Sequence, residues 1–60
     1  MTIKVKFKFE DERYYYKNYS YWSGEQSDAA RDFEFLKLIN QAQQESHEMG
    51  AEIENVFVIK

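Results

Sequence analysis

Thr2 to Phe9 alternates without a break: Ile3, Val5, Phe7 and Phe9 are apolar, and Thr2, Lys4, Lys6 and Lys8 lie between them. A period of two is that of a strand with one face buried and the other wet. After Glu10-Asp11-Glu12-Arg13 comes a second run, Tyr14 to Trp22, rich in residues that favour strands. Together the two runs predict a β-hairpin from Ile3 to Trp22, with strands over 2–9 and 13–22. Ser23-Gly24-Glu25-Gln26-Ser27 breaks the pattern. Ser27 is placed to cap a helix, and Asp28 to meet the positive end of its dipole. From Ala29 to Met49 the spacing turns helical. Phe35, Ile39, Ala42, Ser46 and Met49 step by four and three, with Leu36 and Leu38 flanking that line. Glu34, Lys37, Gln41, Gln44, Glu45 and Glu48 fall on the other side. The helix is predicted over 28–49, and Gly50 suits the left-handed position beyond it. A third strand is predicted over 52–59, with Ile53, Asn55, Phe57 and Ile59 on the face towards the helix and Val56 and Val58 on the other.

The order ββαβ predicts one α+β domain over residues 1–60. The third strand returns beside the first, giving a three-stranded antiparallel sheet of order 2-1-3 with the helix on one face. Phe35 and Ile39 are expected under Phe7 and Val5.

The faces of the second strand depend on the hairpin loop. A short loop centred on Asp11-Glu12 pairs Phe9 with Tyr14, Phe7 with Tyr16, Lys8 with Tyr15, Lys6 with Lys17 and Lys4 with Tyr19. That register gathers Lys4, Lys6, Lys8, Tyr15, Lys17, Tyr19 and Tyr21 on the face away from the helix. A one-residue bulge swaps the faces of the second strand and turns Lys17 towards the core. Burial of an ammonium is costly, so the first register is preferred.

Sixty residues bury only about 60% of the surface their unfolded chain exposes, so the fold is expected to be marginal alone. With no cysteine there is no disulfide, thiolate metal site or thiol nucleophile. No apolar run approaches the roughly 20 residues that cross a bilayer, and the start lacks the apolar stretch of a signal peptide. The expectation is a soluble cytoplasmic protein without a membrane partner, in the host cytoplasm if phage-encoded. Charge is uneven. Residues 1–24 carry five bases against three acids, and residues 25–60 carry three bases against eight acids, within a net charge of −3.

Catalytic chemistry finds no constellation. His47 is alone near the helix end, with Glu45 and Glu48 as its neighbours, and a cation there simply suits the helix dipole. No phosphate-binding glycine loop, metal-ligand spacing or nucleophile elbow is present. Glu10-Asp11-Glu12 is a wet hairpin tip, with no pocket to shift a pKa. No catalytic residue, metal or cofactor is expected, and the chain reads as non-enzymatic.

Two binding readings follow. The first is a module that binds a larger protein, such as a nucleic-acid-processing enzyme, and occludes it. Its contact residues are Glu10, Asp11, Glu12 and Glu34, whose acids imitate a phosphate backbone, with the ring anchors Tyr15, Tyr19 and Tyr21 and the outward valines Val56 and Val58. The alternative is a single-stranded nucleic-acid module using Lys4, Lys6, Lys8, Tyr15, Lys17 and Tyr19, because rings stack on bases while lysines meet phosphates. The small ββαβ build, with rings and acids but no catalytic set, is similar to that of inhibitors encoded by phages and mobile elements. Anti-CRISPR proteins and inhibitors of uracil-DNA glycosylase are examples. The likeness is one of build, rests on no motif and transfers no residue.

The last strand also bears on assembly. Val56-Phe57-Val58-Ile59 carries no charge or proline before Lys60. As a sheet edge it invites pairing with a second copy, a homodimer through the 52–59 edge, or with a partner's strand.

Overall fold

The computed structural model describes residues 1–59, and Lys60, the one charge expected at the end of the last strand, lies outside them. The elements are β1 (Thr2–Lys8), β2 (Tyr14–Ser20), α1 (Asp28–Met49) and β3 (Glu52–Ile59). They form an α+β fold: an antiparallel sheet of order β2-β1-β3 with the helix on one face and the other face open. The helix bounds match those expected. Each hairpin strand ends short of its predicted limits, β1 by one residue and β2 by one at its start and two at its end.

The hairpin loop sets everything on β2. Phe9 N–H donates to Arg13 O at 2.9 Å and Glu12 N–H to Phe9 O at 3.0 Å, with Glu12 at φ 67°. This is a three-residue loop, a turn closed by one left-handed residue. It shifts the pairing by one residue from that expected, so Lys8 faces Tyr14, Phe7 faces Tyr15, Lys6 faces Tyr16 and Val5 faces Lys17. The faces of β2 are therefore the reverse of the preferred reading. Tyr15, Lys17 and Tyr19 turn to the helix side, and Tyr14, Tyr16 and Asn18 to the open side. The cost of burying Lys17 is avoided because its side chain stays partly exposed and its ammonium reaches the Glu45 carboxylate at the rim.

Left-handed backbone costs a residue with a side chain about 1–2 kcal/mol, and glycine escapes most of this at the expense of a freer unfolded chain. Glu12→Gly is expected to stabilise the domain by about 0.5–1 kcal/mol, seen as a higher urea midpoint. Glu12→Val should lower the midpoint.

The core is Ile3, Val5 and Phe7 from β1, Leu38 and Ala42 from α1, with Tyr19 and Ala51 beside them. On the helix the buried stripe is Ala30, Glu34, Leu38 and Ala42, a run of i, i+4 steps. Phe35 and Ile39, expected at its centre, are only partly buried and pack alongside. The alanines add no bulk, so Leu38 is the one large apolar side chain of the stripe. Leu36, expected beside the apolar line, is exposed.

Ser27 caps the helix, accepting from Ala30 N–H at 3.1 Å. At the other end Gly50, at φ 67°, donates to His47 O, and Ala51 N–H reaches Ser46 O. These two bonds form a Schellman close that returns the chain directly into β3.

On β3 a bulge lies opposite Lys6 and Phe7, where Asn55 pairs with Lys6 but Ile53 pairs with Phe7. The residue skipped is Glu54. The bulge changes the parity of the strand. Ile53 stays on the helix side as expected, but beyond the bulge Val56 and Val58 also face the helix, opposite Val5 and Ile3. Asn55, Phe57 and Ile59 face outward. The expectation that Phe57 and Ile59 meet the helix is thereby corrected.

Candidate functional site

The two register changes converge on the open face of the sheet. Down its middle runs β1 with Lys4, Lys6 and Lys8. Across from them on β2 stand Asn18, Tyr16 and Tyr14, and on β3 Phe57, Asn55 and Glu52. Thr2, flanked by Ser20 and Ile59, closes one end. The face is thus a ridge of three ammonium groups with a pair of rings on one side and a third ring on the other. Tyr14 is 48% exposed, Tyr16 49% and Phe57 45%. Tyr14 and Tyr16 are alternate residues of one strand, so they stand about 7 Å apart on the same face.

Two of the lysines, Lys4 and Lys6, are held by these rings. Lys6 Nζ lies 4.2 Å from the centre of the Tyr14 ring and 6.0 Å from that of Tyr16, and Lys4 Nζ lies 4.9 Å from Tyr16. Lys6 also approaches Glu54 at 3.8 Å. Cation–π contacts at exposed sites are worth only about 0.5–1 kcal/mol each. They position the ammonium groups without consuming them.

The residues expected to form this surface are divided between the two faces. Lys4, Lys6 and Lys8 are on it. Tyr15, Lys17, Tyr19 and Tyr21 are on the helix side, where they hold the fold together. Tyr15 stacks on Phe7 with ring centres 6.2 Å apart, and Tyr21 packs against Phe33 at 6.0 Å. Tyr19 is buried. Lys17 pairs with Glu45, and that hydrogen bond holds the lysine above its usual pKa and the carboxylate below its own. Burial first, and Glu45 second, push the Tyr19 phenol well above the ordinary range. The Tyr19 hydroxyl and Glu45 Oε2 are buried close to each other, and neither has a hydrogen bond of ordinary geometry among the described residues.

The acids do not assemble into one surface. Glu34 is a buried structural residue: Oε1 accepts from the Met1 amine at 3.0 Å, and Oε2 accepts from Ser23 N–H at 3.0 Å and Ser23 Oγ at 2.6 Å. Those bonds, from Ser23 above all, hold its carboxyl down at about 2. Glu10, Asp11 and Glu12 are exposed at the hairpin tip, where Asp11 pairs with Arg13 at 2.6 Å. Glu25 and Asp28 lie by the helix start, at the other end of a molecule 40 Å long. Val56, half-buried, and Val58, exposed, lie on the helix side of the β3 edge.

Tyr14, Tyr16 and Phe57 are the site residues that the alternation pattern misassigns. The signals that place them are a three-residue loop without glycine and a bulge without glycine, and neither leaves a mark in composition. Among the described residues no group of three or more His, Asp or Glu side chains is arranged to hold a metal ion, and no helix is long and apolar enough to cross a membrane. Comparison with protein-family models, with curated proteins and with solved structures returns no match for this chain.

Proposed function

We propose that this protein is a non-enzymatic binding module whose open sheet face takes single-stranded nucleic acid. The observation that carries the reading is the placement of Lys4, Lys6 and Lys8 between Tyr14 and Tyr16 on one side and Phe57 on the other. Phosphates meet the ammonium ridge, and bases lie on the flanking rings. Magnitudes favour the exchange this requires. A base landing on Tyr16 displaces an ammonium contact worth about 0.5–1 kcal/mol and gains stacking worth about 1–3 kcal/mol, while the freed lysine turns to the phosphate. The net charge of −3 lies partly away from this face, although Glu54 approaches Lys6 and Glu52 stands opposite Lys8 at its margin. Three of the eleven acids sit at the hairpin tip, and Glu34 and Glu45 are engaged internally.

The test is fluorescence anisotropy with short single-stranded oligonucleotides at low salt. Tyr16→Ala and Phe57→Ala are each expected to weaken binding by about 1–3 kcal/mol. Lys6→Ala should reduce the slope of log affinity against log salt by about one. Tyr21→Ala, on the helix side, should leave affinity unchanged as long as the variant is folded. Absence of binding by the unaltered protein at low salt removes the reading.

A second reading is a larger protein partner, occluded by this module. It is supported by the β3 edge, where Phe57, Val58 and Ile59 are all exposed. Strand addition at that edge fits a partner better than acidic mimicry, which loses Glu34 to the interior.

A further inference from the structure

β1 is paired on both sides, so β2 and β3 are the edges of the sheet. The two halves of β3 differ. Glu52, Glu54 and the bulge opposite Lys6 and Phe7 protect its first half, by the charge and irregularity that natural edges use. Its second half, Val56 to Ile59, has no charge, proline or bulge; Val56 N–H donates to Asn55 Oδ1 at 2.9 Å, a side-chain contact that pairing exchanges for a backbone one, and Phe57, Val58 and Ile59 are each more than 40% exposed.

We infer that a second copy of this chain occupies that half-edge, pairing β3 with β3 antiparallel about a two-fold axis at Phe57. The residue pattern suits a second copy and sets the axis. Keeping the two helices on one side of a continuous sheet requires that paired residues come from the same face. An axis at Phe57 pairs Phe57 with Phe57, Val56 with Val58, and Asn55 with Ile59. Every member is uncharged, and Glu52 and Glu54 fall outside the paired stretch. An axis at Val56 instead sets Glu54 against Val58, and one at Val58 shortens the uncharged ladder. Self-complementarity of this kind is what an isologous interface needs. On the helix side the copy's Val56 comes alongside Val58, at the groove that Val58 and Ile59 share with Trp22 and Met1.

The result is a six-stranded sheet of order β2-β1-β3-β3-β1-β2. Its open face carries two Phe57 rings at the centre and a lysine ridge on either side. This doubled platform rests on the single-strand reading above; the pairing itself does not.

The test needs no nucleic acid. In sedimentation equilibrium the full chain should move from monomer to twice the monomer mass as concentration rises. Val58→Lys, folded by circular dichroism, should stay monomeric while keeping Lys4, Lys6, Lys8, Tyr16 and Phe57 on the open face. The axis is checked by cross-linking, because residues opposite each other in an antiparallel pair have Cα atoms about 4.5–5.5 Å apart, within disulfide reach. Phe57→Cys should therefore give a covalent dimer on mild oxidation, with no competing thiol in the chain. Tyr16→Cys should not. A monomer mass at every concentration, or covalent dimer from Tyr16→Cys in place of Phe57→Cys, overturns the inference. If the mass doubles but oligonucleotides do not bind, the single-strand reading fails and the pairing stands.

Discussion

Leu38→Ala is expected to destabilise the domain by about 2–5 kcal/mol, the range for truncating a fully buried leucine. Leu38 has no exposed surface and meets Ile3, Val5 and Phe7, which have none either. The stripe offers nothing to refill the void, since its other apolar members are Ala30 and Ala42. A chain this short has a total stability on the order of 3–9 kcal/mol, so the variant should approach or cross the unfolding threshold. Ile39→Ala removes a similar volume from a partly buried position and should cost clearly less. Urea denaturation of the two variants side by side checks this. Equal midpoints, or a larger loss at Ile39, would mean that the helix presents the Phe35–Ile39 face to the sheet instead.

That comparison also marks how far the pattern of residues can be read. The alternation of Ile3, Val5, Phe7 and Phe9 against three lysines allows one interpretation, and β1 has the faces it predicts. Ser27 and Gly50 punctuate the helix by ordinary capping chemistry, and the helix bounds agree. The order of strands follows from short connections. What fails is parity in two strands and one position on the helix. The hairpin loop holds Glu12 in a conformation usually given to glycine, so although Asp-Glu is no Asn-Gly turn and allows a loop longer than two residues, nothing marks its length as three. The β3 bulge passes through Glu54, again without glycine, so the strand looks uninterrupted. On the helix, the charge of Glu34 points it to the wet side. The donors that satisfy it, the Met1 amine and Ser23, are distant in sequence and become neighbours only when the sheet forms. In each case the local residue is a carboxylate where a different residue type is the usual sign. The lysine ridge of the candidate site was therefore legible, whereas Tyr14, Tyr16 and Phe57 were not.

Glu34 should be the charged residue whose loss this fold tolerates least. Its carboxylate ties the start of β1, the chain after β2 and the helix into one cluster. Met1 N–H donates to Tyr21 O at 2.8 Å as well as to Glu34, so the cluster fastens the free end of the sheet. Glu34→Gln keeps the shape but places an NH2 group among donors, leaving at least one of them without an acceptor. At neutral pH its urea midpoint should fall several times further than that of Asp32→Asn, an exposed position on the same helix. The acid dependence follows from the same contacts. The folded carboxyl titrates at about 2 against an ordinary value of 4.5, held down chiefly by Ser23. A lowered folded pKa stabilises the fold above the unfolded value and is lost as pH falls through the folded one. The difference in stability between the wild type and Glu34→Gln should thus be constant between about pH 5 and neutral and shrink steadily from about pH 4.5 to 2, with at most one proton taken up on unfolding across that window. Glu45, also lowered by its partner Lys17, is present in both proteins and cancels in the comparison. Midpoints measured at half-unit steps of pH test the point, and a difference that does not narrow on acidification would show that Glu34 is not held as a buried carboxylate.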